Sequence, residues 1–330
     1  SSFHLAQPCA EQNRYSILWR VSVSFLFTEM LWTQIASVFY ICVFLAIVAI
    51  LHRRCDRAGS MLWSEVKWHH VTQSAYGGMK PAWMALWRLS FAIYVFVILS
   101  IALSREPVKN IGDKKNTHLL GGTQVLGTFT MWSWILIGVY GLVTSAASAT
   151  EAAGIEVSGK LADAVACSMW VLFQVMTSVA ILIFLVVWCV LVPLFPQLLT
   201  FVSLSAHNLN VVFMLTELKI NRLSFVHSHV VFSMYYGSLY IIFSWFYCIS
   251  TGIVYYFFID WRQAIVLPGY TVLIFVLYAS YVGSLHLSNA TKRKVVDRLP
   301  RKHLPAREPF TEKRTEGKEK STTECEASAK

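Results

Sequence analysis

The chain predicts an all-α, multi-pass transmembrane helical bundle. Three observations carry that expectation. Hydrophobic residues make up 56% of the 330 positions and charged residues only 14%, well below the roughly 25% of soluble domains. Mean hydropathy is +0.53. The apolar residues also fall in recurring runs about 20 residues long, the length of a bilayer-crossing helix. Barrel strands would instead alternate in segments of about ten.

The N-terminal segment 1–30 shows no compact charged-then-apolar signal peptide over residues 1–20. The first predicted span is 31–51, LWTQIASVFYICVFLAIVAIL. A basic loop, 52–85, follows; with Trp87 just beyond it, Trp63, Trp68 and Trp83 suit an interfacial belt. The second span is 86–104, with Arg88 near its entrance, where a long cationic side chain is expected to snorkel to the headgroups. The polar loop 105–118 leads to a third span, 124–146, carrying Thr128, Thr130, Ser133, Gly141 and Thr144. The fourth span, 166–190, is closed by Pro193 and Pro196. The fifth is 197–217, the sixth 230–255 and the seventh 264–287. His227 and His229 begin the sixth and suit an interface. The bundle thus reads as a six-span core over 86–290 with one extra N-terminal span. The tail 291–330 is charged and too poor in apolar residues to order itself. No internal repeat points to an inverted-repeat transporter.

The net charge of +10 lies largely in the tail and in the loop 52–85. Basic residues there set orientation and meet anionic lipid; they do not imply nucleic acid. With the N-terminus outside, Arg53, Arg54, Arg57, Lys67, Lys80, Lys219, Arg222 and the tail cluster all face inward. Arg105, Lys109, Lys114 and Lys115 run against that trend. The expected protein is integral to the plasma membrane or endoplasmic reticulum, with a cytoplasmic C-terminus. The sequon Asn289-Ala290-Thr291 then lies inside and stays unglycosylated. The seven cysteines show no zinc spacing. There is no HExxH, Walker A or G-x-S-x-G elbow, so no metal or cofactor is expected and any reaction must use intramembrane side chains.

The fifth span is the most informative. Ser203, His207, Asn210, Met214, Glu217 and Asn221 recur at steps of three or four, one stripe of a helix. Polar side chains at bilayer depth either bond neighbouring helices or mark function. Glu217, with Lys219 and Arg222 nearby, suits a structural ion pair.

His207 followed ten residues later by Glu217 resembles the fourth core helix of a membrane family. That family holds the androgen-induced and androgen-dependent multi-pass proteins and the rolling stone proteins of animals. Tyr240, Gly252, Tyr256 and Asp260 resemble its Y…G…VYPF…E run, and the similarity covers roughly residues 85–290. The segment LGTFTMW resembles the family's threonine-bearing YLTF or YLTNW segment; Thr128 fits the vertebrate form and Thr130 the rolling stone form. Val212 stands where the vertebrate helix has proline.

The resemblance implies a threonine hydrolase of fatty acid esters, such as those of hydroxy fatty acids. Thr130 or Thr128 would be the nucleophile and His207 the base. Its partners would be membrane lipids and the ester substrate. A threonine hydroxyl needs a neighbouring base to become a nucleophile, and histidine is the natural one near neutral pH. Asn208 and Asn210 are candidates to orient the imidazole or donate to an oxyanion. Tyr240, Gly252, Tyr256 and Asp260 are expected to be structural. The alternative, implied by the rolling stone branch, is a non-enzymatic protein of cell–cell fusion or adhesion.

Overall fold

The computed structural model describes residues 8–298 apart from Gly77, Ile111 and 113–118, with side chains from Met30 to Lys292 other than that of Lys109. It is an all-α bundle in which, among the described residues, six helices are long and apolar enough to cross a membrane. The chain is therefore read as a multi-pass integral membrane protein. Helix α1 is Pro8–Arg57, with its apolar span at Met30–Arg57. The short α2, Trp68–Thr72, precedes α3, Pro81–Ser104, and α4, Phe129–Ala152. Helix α5 runs Lys160–Leu194 and includes a π turn at Val187–Leu191. Helix α6 covers 201–220, α7 is Val230–Thr251 and α8 is Val266–Arg298.

Several boundaries differ from the sequence expectation; the second span starts at Pro81 and the fourth runs Lys160–Leu194. Seven spans were expected, but six helices among the described residues have the length and apolarity of a span; the fifth predicted span, 197–217, is the exception because it is not a uniform α-helix. Pro196–Leu198 form a 3-10 turn, and 201–220 contain a π turn at Ser205–Leu209. The π turn inserts a residue into the helical repeat and turns the polar stripe. Asn210, Met214, Glu217 and Asn221 stay buried, while Ser203 and His207 sit half-buried at its edge. The sixth span stops at Thr251, because Gly252 takes a left-handed φ of 74° that ends the helix. The helical part of the third span starts at Phe129, after a 3-10 turn at Gly122–Gly127. The tail begins later than expected, since α8 continues through Arg298; the charged stretch beyond it lies outside the described residues.

Helices α3 and α4 make the most extensive contact in the bundle. Small residues allow the close approach. A Cβ on Gly138 would lie 2.7 Å from Val95 Cγ1, and one on Gly141 3.2 Å from Arg88 O. The outer helix α1 packs on α7 and α8 through Ile41 and the Tyr40–Thr271 hydroxyl pair, 3.0 Å apart. Its other face, with Trp32, Phe39 and Ile47, is exposed to the hydrocarbon.

The end of the bundle where α3 starts is tied together by its loops. Arg222 donates to Ser74 O and Gln73 Oε1, and Gln73 Nε2 donates to Glu151 Oε1 at 2.8 Å. His229, expected at an interface, is fully buried here. Gln174 Nε2 and His229 Nδ1 are 2.9 Å apart and His229 Nε2 is 2.8 Å from Met61 O. The amide donates to Nδ1, which leaves Nε2 to carry the proton to the carbonyl.

At the opposite end, the connection after α7 folds back into the bundle. Ile253, Val254, Tyr255, Ile259 and Asp260 are buried. Asn110 Nδ2 donates to Val254 O at 2.7 Å and Tyr255 Oη to Gln124 O at 2.7 Å. Gly127 is required here: a Cβ would sit 2.1 Å from Tyr255 Oη. Gly127→Ala is expected to cost about 1–3 kcal/mol by overpacking. Thermal unfolding in detergent checks this, and an unchanged midpoint would mean the returning loop is not held against that position.

Candidate functional site

Besides the buried Gln174–His229 contact, two polar centres inside the bundle contain the predicted site residues, one near each end. The first is an ion pair. Arg88 and Glu217 are both fully buried. Arg88 Nε donates to Glu217 Oε1 at 3.1 Å and Nη2 to Oε2 at 3.0 Å, a bidentate pair. Arg88 Nη1 donates to Val71 O at 2.7 Å and Ser148 Oγ at 2.8 Å, and Tyr140 Oη donates to Glu217 Oε2 at 3.1 Å. Arg88 therefore does not snorkel to the headgroups, because a counter-charge and carbonyls meet it inside the bundle. Glu217 is an ion-pair residue as expected, but with Arg88 rather than Lys219 or Arg222. A signal was present: a lone arginine and a lone glutamate in apolar runs each need a partner. With its donors and acceptors filled, this centre is suited to holding α3, α4 and α6 in register, not to chemistry.

The second centre surrounds the start of α4. Thr128 is the N-cap: its Oγ1 accepts from Met131 N at 3.3 Å and donates to Val125 O at 3.0 Å. Those bonds occupy the hydroxyl. Thr130, one step inside the helix, is buried and lines an apolar cavity of about 90 Å³ between α4, α5, α7 and α8. The cavity wall is otherwise apolar apart from Ser238, Tyr240 and Tyr256. Burial pushes the Tyr256 phenol above its ordinary value, and the hydroxyls of Thr130 and Thr128 are its hydrogen-bonding neighbours. Tyr256 is thus protonated at physiological pH. Tyr240 Oη donates to Gly127 O at 3.1 Å and fixes the turn just before α4.

The other predicted site residues support this centre from a distance. Gly252 turns the chain at the end of α7 and so starts the segment that returns Tyr256 to the cavity. Asp260 closes the same segment by accepting from Arg262 Nε at 2.8 Å and Gln263 Nε2 at 2.8 Å. Tyr240 and Tyr256 line the cavity directly, while Gly252 and Asp260 bound the loop that carries Tyr256 to it.

His207 lies in the π turn of α6, which packs against α4 and α5. Its Nδ1 is buried and has no hydrogen-bond partner among the described residues. Such atoms are rare in folded proteins and call for an explanation. His207 does not line the Thr130 cavity, and no hydrogen bond joins the two side chains. Asn208 Oδ1 accepts from Trp188 Nε1 at 2.8 Å, so the π turns of α5 and α6 are bonded to each other. Asn210 is buried, and its Oδ1 accepts from Val211 N at 2.6 Å. Both amide oxygens are thus engaged in local structure.

Two features escaped the sequence. Tyr256, expected to be structural, also lines the cavity. Ser133 Oγ and Tyr236 Oη are 3.0 Å apart, one helical turn from Thr130. Among the described residues, no group of three His, Cys, Asp or Glu side chains is placed to hold a metal ion.

In comparisons with family models, curated proteins and solved structures, nothing matches this chain.

Proposed function

We propose that this protein is a membrane-embedded lipid ester hydrolase with Thr130 as nucleophile and His207 as general base. One observation carries the proposal: a buried threonine hydroxyl opens into an apolar cavity beside a protonated tyrosine. Two others support it. Among the described residues, His207 Nδ1 is buried without a partner on α6, the helix whose π turn packs against α4. It sits in a π turn, a device frequent at functional sites. Between the two threonines, Thr130 is preferred, because capping already uses the Thr128 hydroxyl. The resemblance to the androgen-induced and rolling stone proteins agrees with this assignment.

The steps follow from these groups. The Thr130 hydroxyl attacks the ester carbonyl while His207 takes its proton. Tyr256 donates to the oxygen on which negative charge develops. The imidazolium returns the proton to the leaving alcohol, giving an acyl-threonine. Water, activated by the same imidazole, then releases the fatty acid. The two side chains are not joined in this structure, so the mechanism requires substrate binding to bring them together.

A hydroxyl-directed fluorophosphonate probe tests the assignment. Wild-type protein should be labelled on Thr130. Thr130→Ala should be unlabelled and His207→Ala labelled far more slowly. Labelling that survives Thr130→Ala unchanged would place the nucleophile elsewhere.

We also place the Arg88 end of the bundle, with Arg53, Arg54 and Lys67, on the cytoplasmic side. A protease site engineered after Arg298 should resist digestion of intact cells; cleavage from outside would reverse the orientation.

A further inference from the structure

A second space lies on the same face of α5 as the Thr130 cavity. It is an open groove of about 600 Å³ between α5 and α7, reaching Leu136 of α4 and roofed by Trp63. Its floor includes Val175 and Met176, which are buried in the protein core. Leu172, Val175 and Met176 line the groove; Ile183, Val186 and Val187 line the cavity. Each of the second set lies eleven residues beyond its counterpart, three turns or about 16 Å along one face of the helix. The two spaces are therefore stacked along a single apolar track.

What separates them is a small partition. Tyr236 lines the groove, and its ring lies 5.4 Å from that of Phe129, which lines the cavity. The Tyr236 hydroxyl bonds Ser133, so the ring is held by a single side-chain hydrogen bond at the partition.

We propose that this groove is a lateral binding site for one acyl chain of a bilayer lipid, with Tyr236 as the gate between it and the Thr130 cavity. The occupant follows from place and size. The groove opens between two membrane-spanning helices, where the surrounding solvent is hydrocarbon. Its volume falls in the roughly 300–1,000 Å³ range of small-ligand sites. A partner helix about 10 Å wide fills roughly 420 Å³ per turn, so the groove would seat little more than one turn of it. A single chain lies along the track instead and brings its polar end to the Ser133–Tyr236 pair. The link to Thr130 rests on the hydrolase assignment; the acyl site does not.

The test uses purified full-length protein in liposomes containing a phosphatidylcholine with a diazirine midway along one acyl chain. After illumination, adducts are mapped by mass spectrometry. Adducts are expected on Val175 and Met176, as well as on the exposed face of α3 at Leu89, Ile93 and Val97. Leu172→Trp, which fills the groove, should lower the Val175–Met176 adducts at least tenfold and leave those on α3 unchanged. Ser168→Trp, at the exposed mouth, should act the same way and guards against a folding defect in the first variant. Adducts on α3 without any on Val175 or Met176, or undiminished labelling in both variants, would overturn the acyl site. Groove labelling that behaves as expected in a protein without esterase activity would keep the site and remove the hydrolase assignment. Esterase activity unaffected by both tryptophans would remove the gate.

Discussion

Glu217→Ala is expected to destabilise the detergent-solubilised protein by about 3–5 kcal/mol, the usual cost of leaving one partner of a buried ion pair alone. Arg88 is fully buried and directs two nitrogens at that carboxylate, so the truncation strands a guanidinium in the bundle. Ser148 and the Val71 carbonyl would still accept from it, but neither carries a charge. Arg88→Ala should cost a comparable amount by stranding the carboxylate beside Tyr140. The double variant Arg88→Met/Glu217→Leu should recover much of either loss, because a buried pair replaced by apolar side chains of similar volume is often near neutral. Chemical denaturation of the three variants separates the possibilities. A single variant as stable as wild type would mean that the pair is solvated in the membrane and does not hold α3, α4 and α6 together.

The second large effect is on turnover. Thr130→Ala and His207→Ala should each remove nearly all esterase activity, and the double variant should lose little more. Residues acting as one catalytic unit are strongly non-additive in this way. Thr130→Ser should retain activity, since the hydroxyl survives. Thr128→Ala should mainly loosen the start of α4, at about 0.5–2 kcal/mol for a lost N-cap. Tyr256→Phe should lower kcat by roughly a hundredfold to a thousandfold, as the loss of one oxyanion donor does elsewhere. Losses that simply add between Thr130→Ala and His207→Ala would mean that the two side chains do not work on the same proton.

The membrane helices were legible because apolar length is a strong signal and local sequence carries it. Their capping and their faults were not. Nothing in SLSAHNLN announces a π turn, because the inserted residue is stabilised by tertiary bonds such as Trp188 to Asn208. The partner of Glu217 was missed for a related reason. Lys219 and Arg222 are near in sequence, but residue 88 is near in space, brought there by the close α3–α4 approach and the α6 register. The stretch Tyr240 to Asp260 was visible as a spaced motif. Its purpose was not, because only the fold shows the chain returning after Gly252 to put Tyr256 beside Thr130. The preference for Thr130 over Thr128 likewise needed the helix start, which turns one hydroxyl into a cap and leaves the other facing a cavity.

The most direct measurement is release of free fatty acid from a long-chain ester by the purified protein in liposomes, wild type beside His207→Ala. Wild-type protein should release fatty acid well above protein-free liposomes, and His207→Ala should fall to that background while keeping its wild-type unfolding midpoint. Equal rates in the two proteins, or no release by wild type, would contradict a hydrolase built on Thr130 and His207.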